Sequence, residues 1–140
     1  MAEIYQRSKL LNRYYEKVGR AFAGVGPCPR AVTFSAGYGL VNENVTAGAL
    51  PELLNIPADI EDVTNVFYTG SVTAAYSNGA TVCNCEIPKG AVSNAVKCNM
   101  IGIYDNDGEL IAVCTTLPDW VTPTEGYKFL PTITFPVEEV

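Results

Sequence analysis

Met100-Ile-Gly-Ile-Tyr-Asp-Asn-Asp-Gly-Glu-Leu-Ile-Ala-Val113 is the stretch whose reading decides the fold. Two apolar runs flank Asp105-Asn106-Asp107-Gly108, and an Asp-Gly step tolerates the positive backbone angles of a tight turn, so the stretch reads as a β-hairpin. Its arms are apolar at nearly every position: Met100, Ile101, Ile103 and Tyr104 on one, Leu110 to Cys114 on the other. A strand exposed on one face alternates apolar and polar residues, so these arms are expected to be covered on both faces.

A second hairpin precedes the first. Thr64 to Tyr76 is rich in Val, Thr and aromatic residues, and Ser77-Asn78-Gly79 turns it into Ala80 to Ile87. Asn-Gly between two such runs is a strong hairpin signal. Arg30 to Ser35 alternates and gives another strand, followed by a turn at Ala36-Gly-Tyr-Gly39. Val96 to Met100 leads into the central hairpin, and Lys128 to Val137 reads as a last strand, placed at an edge or bulge by Pro131. Between them, Thr115 to Gly126 reads as a loop around Trp120, the single tryptophan. Residues 40 to 63 are the least regular, with a helical turn expected at Leu50 to Asn55.

Upstream of all strands, residues 3 to 23 read as a helix. Ile4, Leu10, Leu11, Tyr14, Tyr15, Val18 and Phe22 recur at spacings of three and four, and Gly24, Gly26, Pro27 and Pro29 end the pattern. The expectation is a single α+β domain spanning residues 1–140. Its N-terminal amphipathic helix packs on a mostly antiparallel β-sheet or sandwich of five to six strands lying within residues 30 to 137.

Composition narrows the function. Apolar residues make up 48% and charged residues 17% of the 140, which implies more covered surface than a small monomer needs. A net charge of −6, with no Lys/Arg cluster beyond the first thirty residues, argues against nucleic acid as a partner. No apolar run reaches the roughly 20 residues of a membrane-spanning helix, so no membrane insertion is expected. The N-terminus has no signal-peptide core, so synthesis in the cytoplasm without export is expected. Histidine is absent, which removes the commonest general base and transition-metal ligand. Glu86, Glu109, Asp105 and Asp107 remain as candidate carboxylates, but nothing in the sequence pairs them across a cleft, and an enzyme is not expected.

Three motifs have an ordinary reading and a chemical one. Gly37-Tyr38-Gly39 lacks the third glycine and the Lys-Ser/Thr pair of a phosphate loop and reads as a turn. Asp59, Glu61 and Asp62 read as a solvated acidic loop before a cation site. Cys83 and Cys85 share a strand face, with Cys98 close behind in sequence, and Cys28 and Cys114 complete the five. Buried free thiols, disulfides formed after release, and a sulfur-ligated metal all remain open, in that order.

The central hairpin also resembles a known family. Ile101-Gly-Ile-Tyr-Asp105, Gly108-Glu-Leu-Ile-Ala112 and Lys128-Phe-Leu-Pro-Thr-Ile-Thr134 resemble the N-terminal, baseplate-attachment domain of phage tail-collar fibre proteins. Gly19 to Ala23, Ala31 to Ser35, Gly37-Tyr-Gly39, Leu40 to Glu43 and Cys85 to Pro88 follow the family's order. The family's glycine turn usually carries Asp where this chain has Tyr38. Its domain continues into a long fibre, whereas this sequence ends at Val140, which suggests a short adaptor.

The resemblance implies a structural protein of the phage virion, made in the host cytoplasm and placed at the tail. Its partners would be baseplate or tail proteins and tail-fibre chains, its state a homo-trimer, and its cofactors none. Residues 4–22 and 117–127 are then expected in partner contacts, through Tyr5, Leu11, Tyr14, Tyr15, Trp120 and Tyr127. The alternative is a carbohydrate- or receptor-binding β-domain with Tyr38, Tyr76, Trp120 and Tyr127 as stacking platforms.

Overall fold

The structure, a computed structural model, describes residues 6–135. In chain order it forms β1 (Gln6–Leu10), α1 (Asn12–Phe22), β2 (Thr33–Gly37), β3 (Val41–Asn42), β4 (Glu52–Leu53), β5 (Tyr68–Ser77) and β6 (Ala80–Ile87). After these come β7 (Val96–Tyr104), β8 (Leu110–Val121), β9 (Tyr127–Phe129) and β10 (Thr132–Thr134). One short helix thus accompanies a mostly antiparallel β-structure, as the α+β expectation has it. The strands among the described residues number ten rather than five or six.

β7 and β8 are the expected central hairpin. Gly108 takes φ +79° at the turn, and Asp105 Oδ1 accepts the backbone N–H of both Asp107 (2.9 Å) and Glu109 (3.0 Å). The main sheet runs β1-β8-β7-β2-β5-β6-β10, with β9 also on β6. It curls until its two ends approach, and Ser8 Oγ donates to the carbonyl of Thr132 at 3.4 Å across the seam between β1 and β10.

Curling gives the sheet two buried faces. Inside lie Phe34, Cys83, Cys85, Ile87, Cys98, Ile101, Ile103, Cys114, Phe129 and Ile133. On the outside Leu11, Met100, Leu110 and Val113 pack beneath Ile56 and Val63. The hairpin arms are therefore covered on both sides, which accounts for their lack of alternation. Between Cys98 and Met100 the β7–β8 register shifts, so Cys98 points inward and Met100 outward although they are two residues apart. Asn99 sits at this bulge, fully buried.

Four expectations are corrected. The helix does not span 3–23: residues 6–10 form β1 on the edge of β8, pairing Gln6 with Thr116 and Leu10 with Ala112. A free backbone edge there outweighs the helical spacing of Leu10 and Leu11, and the part of the expected helix before Gln6 lies outside the described residues. Leu50–Asn55 is not a helical turn. It carries β4, which pairs with β3, because extension lets Leu53 reach the buried outer layer. Residues 115–121 are not a loop but the continuation of β8 opposite Val96–Cys98. Pro118 lies two residues beyond Thr116, the partner of Gln6 in the described register of β1. The last strand is split by Leu130-Pro131 into β9 and β10, since Pro131 has no N–H to donate; residues 136 and 137 lie outside the described residues.

Candidate partner-binding surfaces

α1 begins one residue after a buried anchor. Leu11 is 1% exposed, and its N–H donates to Ile111. It is a core residue and not a partner contact, because the strand-to-helix junction turns its side chain under the 56–63 segment. No residue of α1 itself is buried. The helix is held by its basic side: Arg13 Nη1 donates to the Leu110 carbonyl at 2.8 Å, and Lys17 Nζ lies 2.5 Å from Asp105, 3.2 Å from Asp107 and 3.2 Å from Glu109. An amphipathic helix was expected to lay its apolar stripe on the sheet. Here the acidic turn holds the cationic side, Tyr14, Val18 and Ala21 are half-buried with Tyr14 against the inner core, and Tyr15 and Phe22 are left exposed.

Burial disfavours both charges of this cluster, but the partners outweigh it. The Lys17 ammonium is raised above its ordinary value by hydrogen bonds to Asp105, Glu109 and Asp107. The Asp105 carboxyl, whose side chain is fully enclosed, is held below its ordinary value by Lys17 and by the N–H groups of Glu109 and Asp107.

Around α1 the surface carries exposed apolar side chains beside an exposed Arg20–Glu16 ion pair at 2.6 Å. Phe22 is 95% exposed, with Val25 and Tyr15 also exposed. Tyr14 is half-buried, edge-on to Tyr15 at 5.3 Å and 6.1 Å from Phe135. The tip of the β5–β6 hairpin stands at the same end. β5 runs beyond the start of β2, and Tyr76 near its tip is exposed.

The opposite end of β7 carries a different surface. Lys97 and Trp120 are cross-strand partners, with Lys97 Nζ 5.7 Å from the centroid of the exposed Trp120 ring. Lys97 also reaches Glu43 at 2.5 Å, and Glu43 accepts the Tyr38 hydroxyl. Lys97 first, and then Tyr38, hold the Glu43 carboxyl below its ordinary value, while that hydrogen bond pushes Tyr38 up to about 12. Tyr38 is positioned by close backbone approach: a Cβ at Gly37 would lie 2.2 Å from the Thr64 carbonyl, and Tyr38 N–H donates to that carbonyl at 3.0 Å. Asn99 at the β7 bulge both accepts from Gly39 N–H and donates to its carbonyl, each at 2.9 Å. The glycines of Gly37-Tyr38-Gly39 therefore serve packing.

Of the residues expected to meet partners, Tyr15 and Trp120 are exposed, Tyr14 and Tyr127 half-buried and Leu11 buried; Tyr5 lies outside the described residues. Tyr127 donates to Asp119 at 3.1 Å and is pushed up to about 12, by burial first and then by Asp119. Lys97 was missed as a surface-forming residue, and Phe22, though inside the expected 4–22 stretch, was not singled out. The exposure of Phe22 depends on which side of α1 is bound, and the stacking of Lys97 on Trp120 depends on the β7–β8 register. The candidate carboxylates Asp105, Asp107 and Glu109 are drawn together on Lys17, and Asp59, Glu61 and Asp62 are exposed, as a solvated loop should be.

All five cysteines are free thiols: Cys28 is exposed, and Cys83, Cys85, Cys98 and Cys114 are buried. Burial raises all four buried thiols, Cys85 and Cys98 to about 12, so they act as small apolar side chains. Among the described residues no group of three or more acidic or Cys side chains is placed to hold a metal ion. No described helix is long and apolar enough to cross a membrane. No protein-family model, curated protein or solved structure matches the chain.

Proposed function

We propose that this protein is a structural adaptor of a tailed-phage virion, attaching tail fibres to the baseplate or tail tip. One observation carries the reading: two exposed, aromatic-bearing surfaces lie at opposite ends of β7. The Phe22/Tyr15/Tyr76 surface lies at the Tyr104 end and the Trp120/Lys97/Glu43 surface at the Val96 end. Nine residues of extended β7 separate them, which at ~3.3 Å per residue is roughly 25 Å. A linker needs two faces that two neighbours can hold at once without touching each other. The two also differ in detail: at one end Phe22 and Tyr15 stand beside an Arg20–Glu16 pair, and at the other a Lys97 clamped by Glu43 covers the Trp120 ring, so each suits a different neighbour. The resemblance of the Gly102-to-Ala112 hairpin to tail-collar fibre domains supplies the phage setting. In this reading the role is geometric and not catalytic, and the protein resides in the virion after synthesis in the host cytoplasm.

The carbohydrate-binding alternative asks Tyr38, Tyr76, Trp120 and Tyr127 to form shared stacking platforms. Tyr76 stands at the far end from Trp120, Lys97 is stacked on the Trp120 ring, and the hydroxyls of Tyr38 and Tyr127 are engaged by Glu43 and Asp119. These observations favour the adaptor. The test is hydroxyl-radical footprinting of the free protein and of purified virions, read at Tyr15, Phe22 and Trp120. Protection at both ends in the particle is expected. Unchanged labelling at both ends, or absence of the protein from virions, refutes the proposal.

A further inference from the structure

The β5–β6 hairpin leaves a strand edge open. β5 pairs with β6 along Val72–Ser77 on one side, but with β2 on the other side only from Tyr68 to Ser71, and Val72 N–H donates to the Val32 carbonyl at 2.9 Å. Backbone groups of alternate residues point to the same side of an antiparallel strand. Ala74 and Tyr76 are in phase with Val72, so their N–H and C=O groups point away from β6. No described backbone group pairs with them. The edge sequence Thr73-Ala-Ala-Tyr-Ser77 contains none of the usual guards of an exposed edge, neither Lys nor Pro nor a bulge.

Two more observations concern the same place. Tyr76 is 71% exposed. Ala74, two residues away on the same face, lines a mostly apolar cavity of about 270 Å³ bounded by Tyr14, Ile103, Phe135 and, ahead of β2, Pro29, Arg30 and Ala31. The strand thus offers a large ring beside a small residue that opens onto a cavity.

We propose that this edge is a self-association site, on which β5 of a second copy of this chain adds antiparallel about a two-fold axis at Ala75. In that register Ala74 of each copy faces Tyr76 of the other, and the two pairs form four backbone hydrogen bonds from the groups now open. Each Tyr76 ring lies over the other copy's Ala74, at the mouth of its cavity. The ring and the mostly apolar cavity are complementary in size, and the strand Thr73–Ser77 itself carries no charge, the one charged side chain at the cavity being Arg30. An isologous contact of this kind closes as a dimer. Its small extent makes it a weak one, populated at high protein concentration. The inference stands on the edge and the cavity; it shares Tyr76 with the apolar-bearing end of the adaptor reading, whose own test is read at Tyr15, Phe22 and Trp120 in virions, so either can fail without the other.

Sedimentation velocity from about 10 µM to about 1 mM tests it, since weak contacts lie in that range of Kd. The expected mass rises towards twice the 15.0 kDa of one chain. Tyr76→Ala, which removes an exposed ring, should weaken dimerisation at least about fivefold. Ala74→Pro deletes an edge N–H that the β6 ladder does not use and should leave a monomer. Register is read by cross-linking in a Cys28→Ser background, where Ala75→Cys should form an intermolecular disulfide on mild oxidation and Thr73→Cys should not. A single-chain mass at the highest concentration overturns the proposal, as does a three-chain mass, an unweakened dimer in Tyr76→Ala, or equal cross-linking at both positions.

Discussion

Removing the Asp105 carboxylate tests what attaches α1 to the sheet. Its Oδ1 accepts two backbone N–H groups that close the β7–β8 turn, and its Oδ2 meets Lys17 Nζ at 2.5 Å. The side chain is fully enclosed, so water cannot replace these partners. Hydrogen bonds to a charged group contribute about 1.5–3 kcal/mol each, and breaking a buried ion pair costs about 3–5 kcal/mol. Lys17 keeps Asp107 and Glu109, both half-exposed, and the terms share one group and do not add. For Asp105→Ala we expect a loss of about 3–4 kcal/mol, a large share of a typical domain's total of ~5–15 kcal/mol. Asp105→Asn keeps an Oδ1 acceptor and loses the charge opposite Lys17, so its expected loss is about 2 kcal/mol. Urea unfolding followed by far-ultraviolet circular dichroism measures both. Asp105→Ala within about 0.5 kcal/mol of wild type, the range of ordinary surface substitutions, would refute the reasoning.

The same cluster sets a pH window. Asp105 is depressed in the folded state, so its contribution is fully present above the unfolded value near 3.9 and is lost as pH falls through the lower folded value. Lys17 is raised, so its contribution is fully present below about 10.4 and is lost only as pH rises through a still higher value. Stability should therefore hold from about pH 5 to about pH 10 as far as this cluster decides, with an acid decline that is shallower in Asp105→Asn. An equally steep acid decline in that variant would assign the transition to other carboxylates.

Other substitutions read neighbouring parts of the argument. Gly108→Val places a β-branched residue at φ +79° and should cost about 1–2 kcal/mol, whereas Asp107→Ala removes only a half-exposed partner of Lys17 and should cost under about 1 kcal/mol; the reverse order in thermal melts would refute the turn assignment. Gly37→Ala drives a Cβ into the Thr64 carbonyl and should cost at least about 2 kcal/mol, with a changed Trp120 environment in fluorescence; a melt like wild type would mean that the 63–65 segment yields. In the native protein a thiol reagent at pH 8 should label Cys28 rapidly and the four buried cysteines only after unfolding. A second rapidly labelled cysteine would contradict the closed inner core.

Much of the fold was legible in the residues because its local signals are strong. Asp107-Gly108 and Asn78-Gly79 each mark a two-strand turn by the positive φ they permit, and the unbroken apolar run from Leu110 to Cys114 announced burial on both faces. Less was legible where a tertiary partner decides. Residues 6–10 have helical spacing but extend because the edge of β8 is available. Glu52–Leu53 extends because an outer layer must be covered. Trp120 lies in a strand because Val96–Cys98 lies opposite. No spacing within a segment carries such information.

The candidate surfaces show the same division at the level of single side chains. Composition indicated more apolar residues than a small monomer needs to cover, but exposure at α1 depends on which side of the helix is bound. Three carboxylates on the 105–109 turn anchor the cationic side, while Tyr14, Val18 and Ala21 are half-buried on the other, so the remaining face with Tyr15 and Phe22 points outward. Phe22 and Tyr15 are then free because Lys17 is held. At the far end the order is reversed, and Trp120 is fixed by a lysine that is itself clamped by Glu43. If the two ends do hold different neighbours, removing Lys17 should loosen α1 and the apolar end while leaving the Trp120 end intact. Removing Lys97 should do the opposite.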